Sequence, residues 1–505
     1  MRTKTKGIIT AGHPQTANSA KLILGEGGNA FDAAVAALYT TFITESCMSS
    51  AGGGAFANIF TSKGHSYLFD FFCQTPIHKK SVDQAEFYPI TVDFGGTTED
   101  FHIGMGAIGV PGTIAGIYAI HEHLCTLPMH ILVQPAIDVC NGGALVDDFQ
   151  FFDFKVLQEI LKVDQQSRGI FFPNGELVRE GGFIKMEKLA DFLNVLAIEG
   201  KDLFYKGEIS KMVDEACQTR GGFLSRADFE NYSVNILEPL RFSYEDKTIL
   251  TNPMPSMGGS LMAIGLKHLE NIPSGFDLHS PQHTAMFYDT LKVMDNQDKT
   301  PFGLAEKLAQ LGVSFNVTTL PGAKKWGSTT HLNILDEFDN AISITSSNGE
   351  GSGYMVPGTQ IMMNNMLGES ALLPNGFHSW EQNVRLSSMM SPSLVLDKEG
   401  KIEYVLGSGG ASRIPRAILQ VIYYLIDKGL TVDEAVHAHR AHLEHKEFNL
   451  EPGFSTEIKK NIEASINLWD TQSMYFGGVH TIAKRGESFE GSGDRRRSGV
   501  VVRAD

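Results

Sequence analysis

The amino-acid sequence predicts a mixed α+β fold, and three observations carry that reading. A small-residue helix lies near the start, two β-hairpins follow one another between 331 and 406, and helical patterns return after them. The small-residue helix opens at Asn29, after Gly27-Gly28, which reads as a break between helices. Phe31, Ala34, Val35, Leu38 and Phe42 then recur at helical spacing, the pattern of a buried helix. Ser49 to Phe56, rich in glycine, reads as a tight loop, and 66–72 as a strand. The segments 185–199 and 260–269 read as amphipathic helices. Residues 331–336 and 341–347 alternate apolar and polar side chains around the turn 337–340, which predicts a hairpin. A second hairpin pairs 393–397 with 402–406 across Lys398-Glu399-Gly400, and helices follow over 414–427 and 432–439.

The chain has 505 residues, 42% hydrophobic and 20% charged, a globular composition with enough apolar material for a large core. Its formal net charge of −16 argues against nucleic acid as a partner. The basic run Arg495-Arg496-Arg497 is short and reads as paired with local acids such as Asp494. Five cysteines without a C-x-x-C pair suggest neither a disulfide framework nor a cysteine zinc cluster. A basic start without an apolar run is not a secretory signal, and no apolar stretch is long enough to span a bilayer. The expectation is a cytoplasmic protein without membrane partner, cofactor or metal. His121-Glu122-His123 and the set His437, His439 and His442 lack a third acidic ligand at helical spacing and read as packed or surface histidines. Gly25 to Gly28 is a partial dinucleotide fingerprint without a preceding strand. Gly407 to Ser412 resembles an amidase-signature loop without a convincing lysine base.

One segment points to chemistry. Pro321 to Ser328 is rich in chain breakers, and Thr329-Thr330-His331 opens the first hairpin directly after it. Eighteen residues beyond Thr329, the return strand brings Ser346, Ser347 and Asn348 back beside the strand's start. A hydroxyl is a weak nucleophile and needs a base. If the chain were cut before Thr329, the new α-amine, titrating near ~7.7–8, would be that base on the same residue.

With these residues in view the chain resembles the gamma-glutamyltransferase family, whose members fold as N-terminal-nucleophile hydrolases. The resemblance runs through Gly28 to Ala34, Gly52-Gly53-Gly54, Gly109-Val110-Pro111-Gly112, Asp202 to Gly207 and Thr329-Thr330-His331. It continues in Val356-Pro357-Gly358, Asn364-Asn365, Ser387-Ser388-Met389, Gly410 to Ile414 and Phe476 to His480. It implies an αββα sandwich made as one precursor and cut between Ser328 and Thr329. A large subunit, residues 1–328, and a small subunit, residues 329–505, would stay interwoven in one fold, with further oligomerisation left open. Thr329 would attack the γ-glutamyl amide of glutathione or a relative, and water or an amine would take the acyl group.

The resemblance also assigns roles. Thr329 is the nucleophile, with Thr330 the competing choice. Ser347, or Ser346, matches a hydroxyl that bonds the nucleophile, and Asn348 matches an asparagine that orients the terminal amine. Gly410 and Ala411 stand where a Gly-Gly pair supplies the oxyanion-hole N–H groups. Ser387 and Ser388 match a carboxylate-binding pair, with Met389-Met390 shifting the register by one. Glu369 stands where an Asp binds the substrate α-amine. The main departure is Asp70-Phe71-Phe72-Cys73, where the family reads D-F-R-E: Phe72 replaces the arginine that grips the substrate α-carboxylate. That implies either a different acyl group or another cation, Arg413 or Arg385. An acylase for a non-glutamyl amide and an unprocessed, silent binding relative are the alternatives. Cys73 reads as a packed side chain, not a nucleophile.

Overall fold

The computed structural model describes residues 5–93, 98–273, 275–313, 329–373, 376–458 and 462–505. Ser328 and the rest of the breaker-rich stretch before Thr329 lie outside the described residues.

Alternation along the strands builds two sheets that share an inner face. The first runs, in spatial order, Val500–Ala504, Gly7–Ala11, Thr329–Asp336, Ala341–Ser347, Gly54–Phe60, Ser66–Phe71 and Asn235–Leu237, with antiparallel neighbours throughout. The second runs Ser488–Ser492, Gly478–Arg485, Ile402–Gly409, Ser393–Leu396, Lys247–Thr251 and Leu240–Tyr244. Between them Ile8, Phe60, Leu335 and Ala341 of the first sheet pack on Leu250, Leu394, Val405 and Ile482 of the second. Residues of opposite parity, among them Ile9, Ala57, Leu332 and Ile342, face outward onto helices that include Ala30–Thr44, Thr113–Leu124 and Met129–Gly142. On the far side, Phe242, Ile249, Val395 and Leu406 meet the helices Met257–Leu269, Pro281–Asp295 and Ile414–Ile426. The result is the expected α+β architecture, an αββα stack.

The local predictions hold where a period is clear. Preceded by a helix Pro14–Gly25, the small-residue helix is Ala30–Thr44, buried along its whole length. It is started by a capping box in which the Asn29 side chain accepts from the Asp32 N–H and the Asp32 carboxylate accepts from the Asn29 N–H. Both hairpins form, the first two residues longer at its start than the alternation predicts. One expectation is corrected. The helix predicted over 432–439 ends at His437, and His442 lies on the strand Ala441–Glu444, so His439 and His442 do not share a helical face. No helix among the described residues is long and apolar enough to cross a membrane.

Candidate active site

Thr329 opens a central strand of the first sheet and lies directly opposite Ser347, which in turn lies opposite Gly54. Period-two alternation decides which face each residue serves. Thr330 turns toward the helix layer, where its hydroxyl donates to Glu45, and the same carboxyl accepts from Thr16 at 2.9 Å. Burial pushes the Glu45 carboxyl up to about 7, the two hydroxyl donors opposing the shift. Ser346 also faces the helices, 3.0 Å from the Ser49 hydroxyl. Thr329, His331, Asn333 and Ser347 therefore belong to the inter-sheet face. Within each pair of alternatives, Thr330 and Ser346 are the members committed to the helix layer.

A polar ladder holds the inter-sheet face below Thr329. His331 Nδ1 lies 2.8 Å from Thr345 Oγ1, and its Nε2 lies 2.9 Å from Asn333 Oδ1. Asn333 Nδ2 donates to Thr10 Oγ1 and to the His480 carbonyl, both at 3.0 Å. Burial lowers the His331 pKa to about 3, with His480 adding to the effect, so the ring is neutral and serves as a strut. Strand Ile402–Gly409 of the second sheet crosses directly over this ladder. A Cβ on Gly407 would lie 2.2 Å from the His331 ring, and one on Gly409 would lie 2.1 Å from the Thr329 carbonyl oxygen. Only glycines permit that approach. It sets the next two residues, Gly410 (φ 117°) and Ala411 (φ 50°), beside Thr329. Both are left-handed, a costly conformation for an alanine and the kind of local strain that clusters at functional sites. Among the described residues no turn or cap carbonyl takes either N–H.

On the other flank, the loop after Ser347 folds over the Gly52-Gly53-Gly54 turn. Ser347 Oγ accepts from the Gly349 N–H at 3.1 Å. Asn348 donates from its backbone to Met48 and from Nδ2 to Met362, while its buried Oδ1 has no hydrogen-bond partner among the described residues. Gly349 has φ 60°, and a Cβ there would lie 2.3 Å from Glu369 Oε1, so the Glu369 carboxyl faces this loop. Ser387 Oγ donates to the Pro255 carbonyl at 2.6 Å, and Ser388 Oγ accepts from the Met390 N–H at 3.1 Å. Both serines are buried next to the start of the Met257–Leu269 helix, whose first N–H donates to the Ser388 carbonyl. Their segment is tied to the Phe72-Cys73 edge by the Leu386 N–H, which donates to the Cys73 carbonyl at 3.0 Å. No group of three or more His, Cys, Asp or Glu among the described residues is placed to hold a metal ion.

The sequence profile described as Gamma-glutamyltranspeptidase matches residues 16–303 and 313–504. The chain belongs to the gamma-glutamyltranspeptidase family. It is 27% identical over 543 residues to a Glutathione hydrolase proenzyme of Bacillus subtilis (strain 168), covering 98% of this chain and 91% of that one. It is also 27% identical to the Acylase ACY 1 proenzyme of Pseudomonas sp. (strain SE83), covering 95% and 90%. In fold it is similar to the crystal structure of cephalosporin acylase from Bacillus halodurans, with TM-score 0.82 and 22% identity over 99% of this chain and 96% of that one.

For a gamma-glutamyltranspeptidase relative the cations around the site matter most. Phe72, where the resemblance leads one to expect an arginine, is buried, its ring stacked on Phe56 at 5.4 Å. Arg385 is spent on structure. It pairs with Asp70 at 3.3 Å, donates to the carbonyls of Phe72 and Ser233, and lies over the Tyr232 ring. Arg413, buried behind Gly410, lies 3.6 Å from Glu444 and over the Tyr475 ring at 4.4 Å. Cys73 is fully buried, and burial drives its thiol far above the usual range, so it packs. Within the run 495–497, Arg496 pairs with Asp494 at 3.3 Å and with Glu451, as the sequence suggests. Arg497 does not follow it. Its Nη1 reaches the Thr329 carbonyl at 3.4 Å. The sequence offers one signal of this, a run with more arginines than Asp494 can neutralise.

Proposed function

We propose that the chain is cut between Ser328 and Thr329, and that the freed Thr329 cleaves γ-glutamyl or related acyl amides through an acyl-enzyme. The observation that carries this reading is the convergence at one strand start: Ser347 opposite Thr329, and Gly409 pressed on the Thr329 carbonyl. In the proposed course the α-amine takes the proton from Thr329 Oγ as that oxygen attacks the amide carbonyl. The N–H groups of Gly410 and Ala411 receive the oxyanion, each worth ~3–4 kcal/mol when pre-aimed. The protonated amine then gives its proton to the departing amine, leaving an ester on Thr329. Water, or a second amine, attacks that ester by the same route and regenerates the free threonine. Asn348 Oδ1, buried and without a partner among the described residues, is suited to accept from the terminal amine.

Incubating the purified precursor and sequencing the new amino terminus tests the cut, which is expected to begin at Thr329. Thr329→Ala is expected to leave one intact band on a denaturing gel and no turnover. A mature, active enzyme with that bond whole overturns the proposal. A second reading, an acylase for a non-glutamyl amide, is favoured by the apolar Phe56–Phe72 stack at the former arginine position. Comparing a γ-glutamyl anilide with other acyl anilides separates the two.

A further inference from the structure

We propose that Arg497 is the cation that receives the carboxylate of the acyl donor, taking over from the opposite side of the site the task of the arginine absent at Phe72. The inference rests on the Thr329 reading above.

Arg497 is built into the site. It ends the 3₁₀ turn Arg495–Arg497, and its side chain lies across three glycines. A Cβ on Gly478 would come within 2.6 Å of its Cδ, one on Gly409 within 3.2 Å of Nη1, and one on Gly410 within 3.3 Å of Nη2. These glycines form a slot that delivers the guanidinium to the nucleophile and the oxyanion turn. There its hydrogen bonding is left unfinished. Nη1 makes a long 3.4 Å bond to the Thr329 carbonyl, and buried Nε has no hydrogen-bond partner among the described residues.

Charge is unfinished as well. The groups acting on Arg497 are Asp153, Asp494 and Arg413. Asp494 is shared with Arg440 at 2.7 Å and Arg496 at 3.3 Å, and Arg413 repels. Asp153 is buried, and desolvation pushes its carboxyl up to about 7, which weakens it as a counter-ion. A buried guanidinium with open donors and a weak counter-ion calls for an anion, and a carboxylate fits its fork. The reach agrees. The carboxylate carbon of a γ-glutamyl group stands four C–C bonds from the reacting carbonyl, about 5 Å. Arg497 Nη1 lies 3.4 Å from the carbonyl oxygen of the residue whose hydroxyl would attack.

The test uses processed enzyme and three 4-nitroanilides. The γ-glutamyl compound has both α-groups, the glutaryl compound lacks only the amine, and the 4-aminobutyryl compound lacks only the carboxylate. The wild type is expected to turn over the first two with much lower KM than the third. In Arg497→Gln that KM advantage is expected to shrink roughly 10- to 100-fold, the loss of a charged hydrogen bond, while Arg497→Lys keeps some of it. If the glutamine variant fails to mature, competition on the wild type decides: glutarate must inhibit far better than butyrate. A wild type indifferent to the carboxylate, equal inhibition by glutarate and butyrate, or an Arg497→Gln loss that falls equally on all three donors overturns this proposal and leaves the Thr329 reading standing. Absence of cleavage and of turnover in the wild type overturns the Thr329 reading itself.

Discussion

Thr329 and Thr330 are adjacent and identical, yet one strand's alternation gives them opposite environments. Thr330 is bound to Glu45, a carboxyl buried among hydroxyls with no cation beside it among the described residues. The folded state holds the Glu45 proton up to about 7, whereas the unfolded chain releases it near 4.5. Stability from this group is therefore present below pH 4.5 and declines as pH rises to 7. The full loss is about 3 kcal/mol, taken as 1.36 kcal/mol per pKa unit. Glu45→Gln keeps an acceptor for Thr330 and does not titrate. In the uncleaved Thr329→Ala background, urea unfolding is expected to find Glu45→Gln more stable than its parent at pH 8 and level with it at pH 4.5. A difference independent of pH counts against a buried neutral carboxyl. Phe72→Arg is a second residue-scale case. The new cation would enter an apolar stack beside Arg385, with Asp70 already engaged. Thermal unfolding is expected to show a loss of roughly 3 kcal/mol or more, with no gain in turnover of a γ-glutamyl anilide.

At the scale of elements, the site depends on one crossing, that of Ile402–Gly409 over Thr329–Asp336. Gly407→Ala would force a methyl into the His331 ring and lift the strand that carries Gly409, Gly410 and Ala411. Overpacking of this kind costs about 1–3 kcal/mol. If Gly410 and Ala411 form the proposed oxyanion hole, displacing their turn is expected to lower kcat by ~10²-fold, with KM changed far less. Steady-state kinetics and thermal unfolding together check this, and a variant that loses stability but keeps kcat would show that the crossing only packs. The same crossing marks where sequence reading stops. The two hairpins are legible because alternation and turn residues are local, and Thr329 facing Ser347 follows from hairpin length. That Gly409 meets Thr329 is a contact between sheets, which no period encodes. Residues 432–439 read as helix because Val432, Ala435 and Val436 keep helical spacing, but at Ala438 the chain leaves the helix to pair Ala441–Glu444 with Glu447–Leu450. Arg497 reads as a partner of Asp494 because the two are neighbours in sequence. Three glycines from the second sheet and the turn that follows it draw its side chain elsewhere.

For the whole molecule, a cut at 328/329 would not divide the structure into two bodies. Gly7–Ala11 would fall in the large subunit, yet it lies between Val500–Ala504 and Thr329–Asp336 of what would be the small one. Ala341–Ser347 of the small subunit pairs with Gly54–Phe60 of the large one, and Ser393–Leu396 of the small pairs with Lys247–Thr251 of the large. Each sheet is completed by both subunits, and the inner core takes Ile8 and Leu250 from one and Leu335 and Val405 from the other. Separating them would expose that core and strip both sides of the Gly7–Ala11 strand of hydrogen bonds, a cost comparable to unfolding. The cleaved subunits are therefore expected to co-elute as one species in native size exclusion, to unfold in a single transition, and to separate only in denaturant. Residues 329–505 expressed alone are expected to lack a cooperative transition, because Thr329–Asp336 would lose its Gly7–Ala11 partner and Ala341–Ser347 its Gly54–Phe60 partner. A folded, monomeric 329–505 would show that this part carries its own core, and that a cut at 328/329 need not leave the two parts joined.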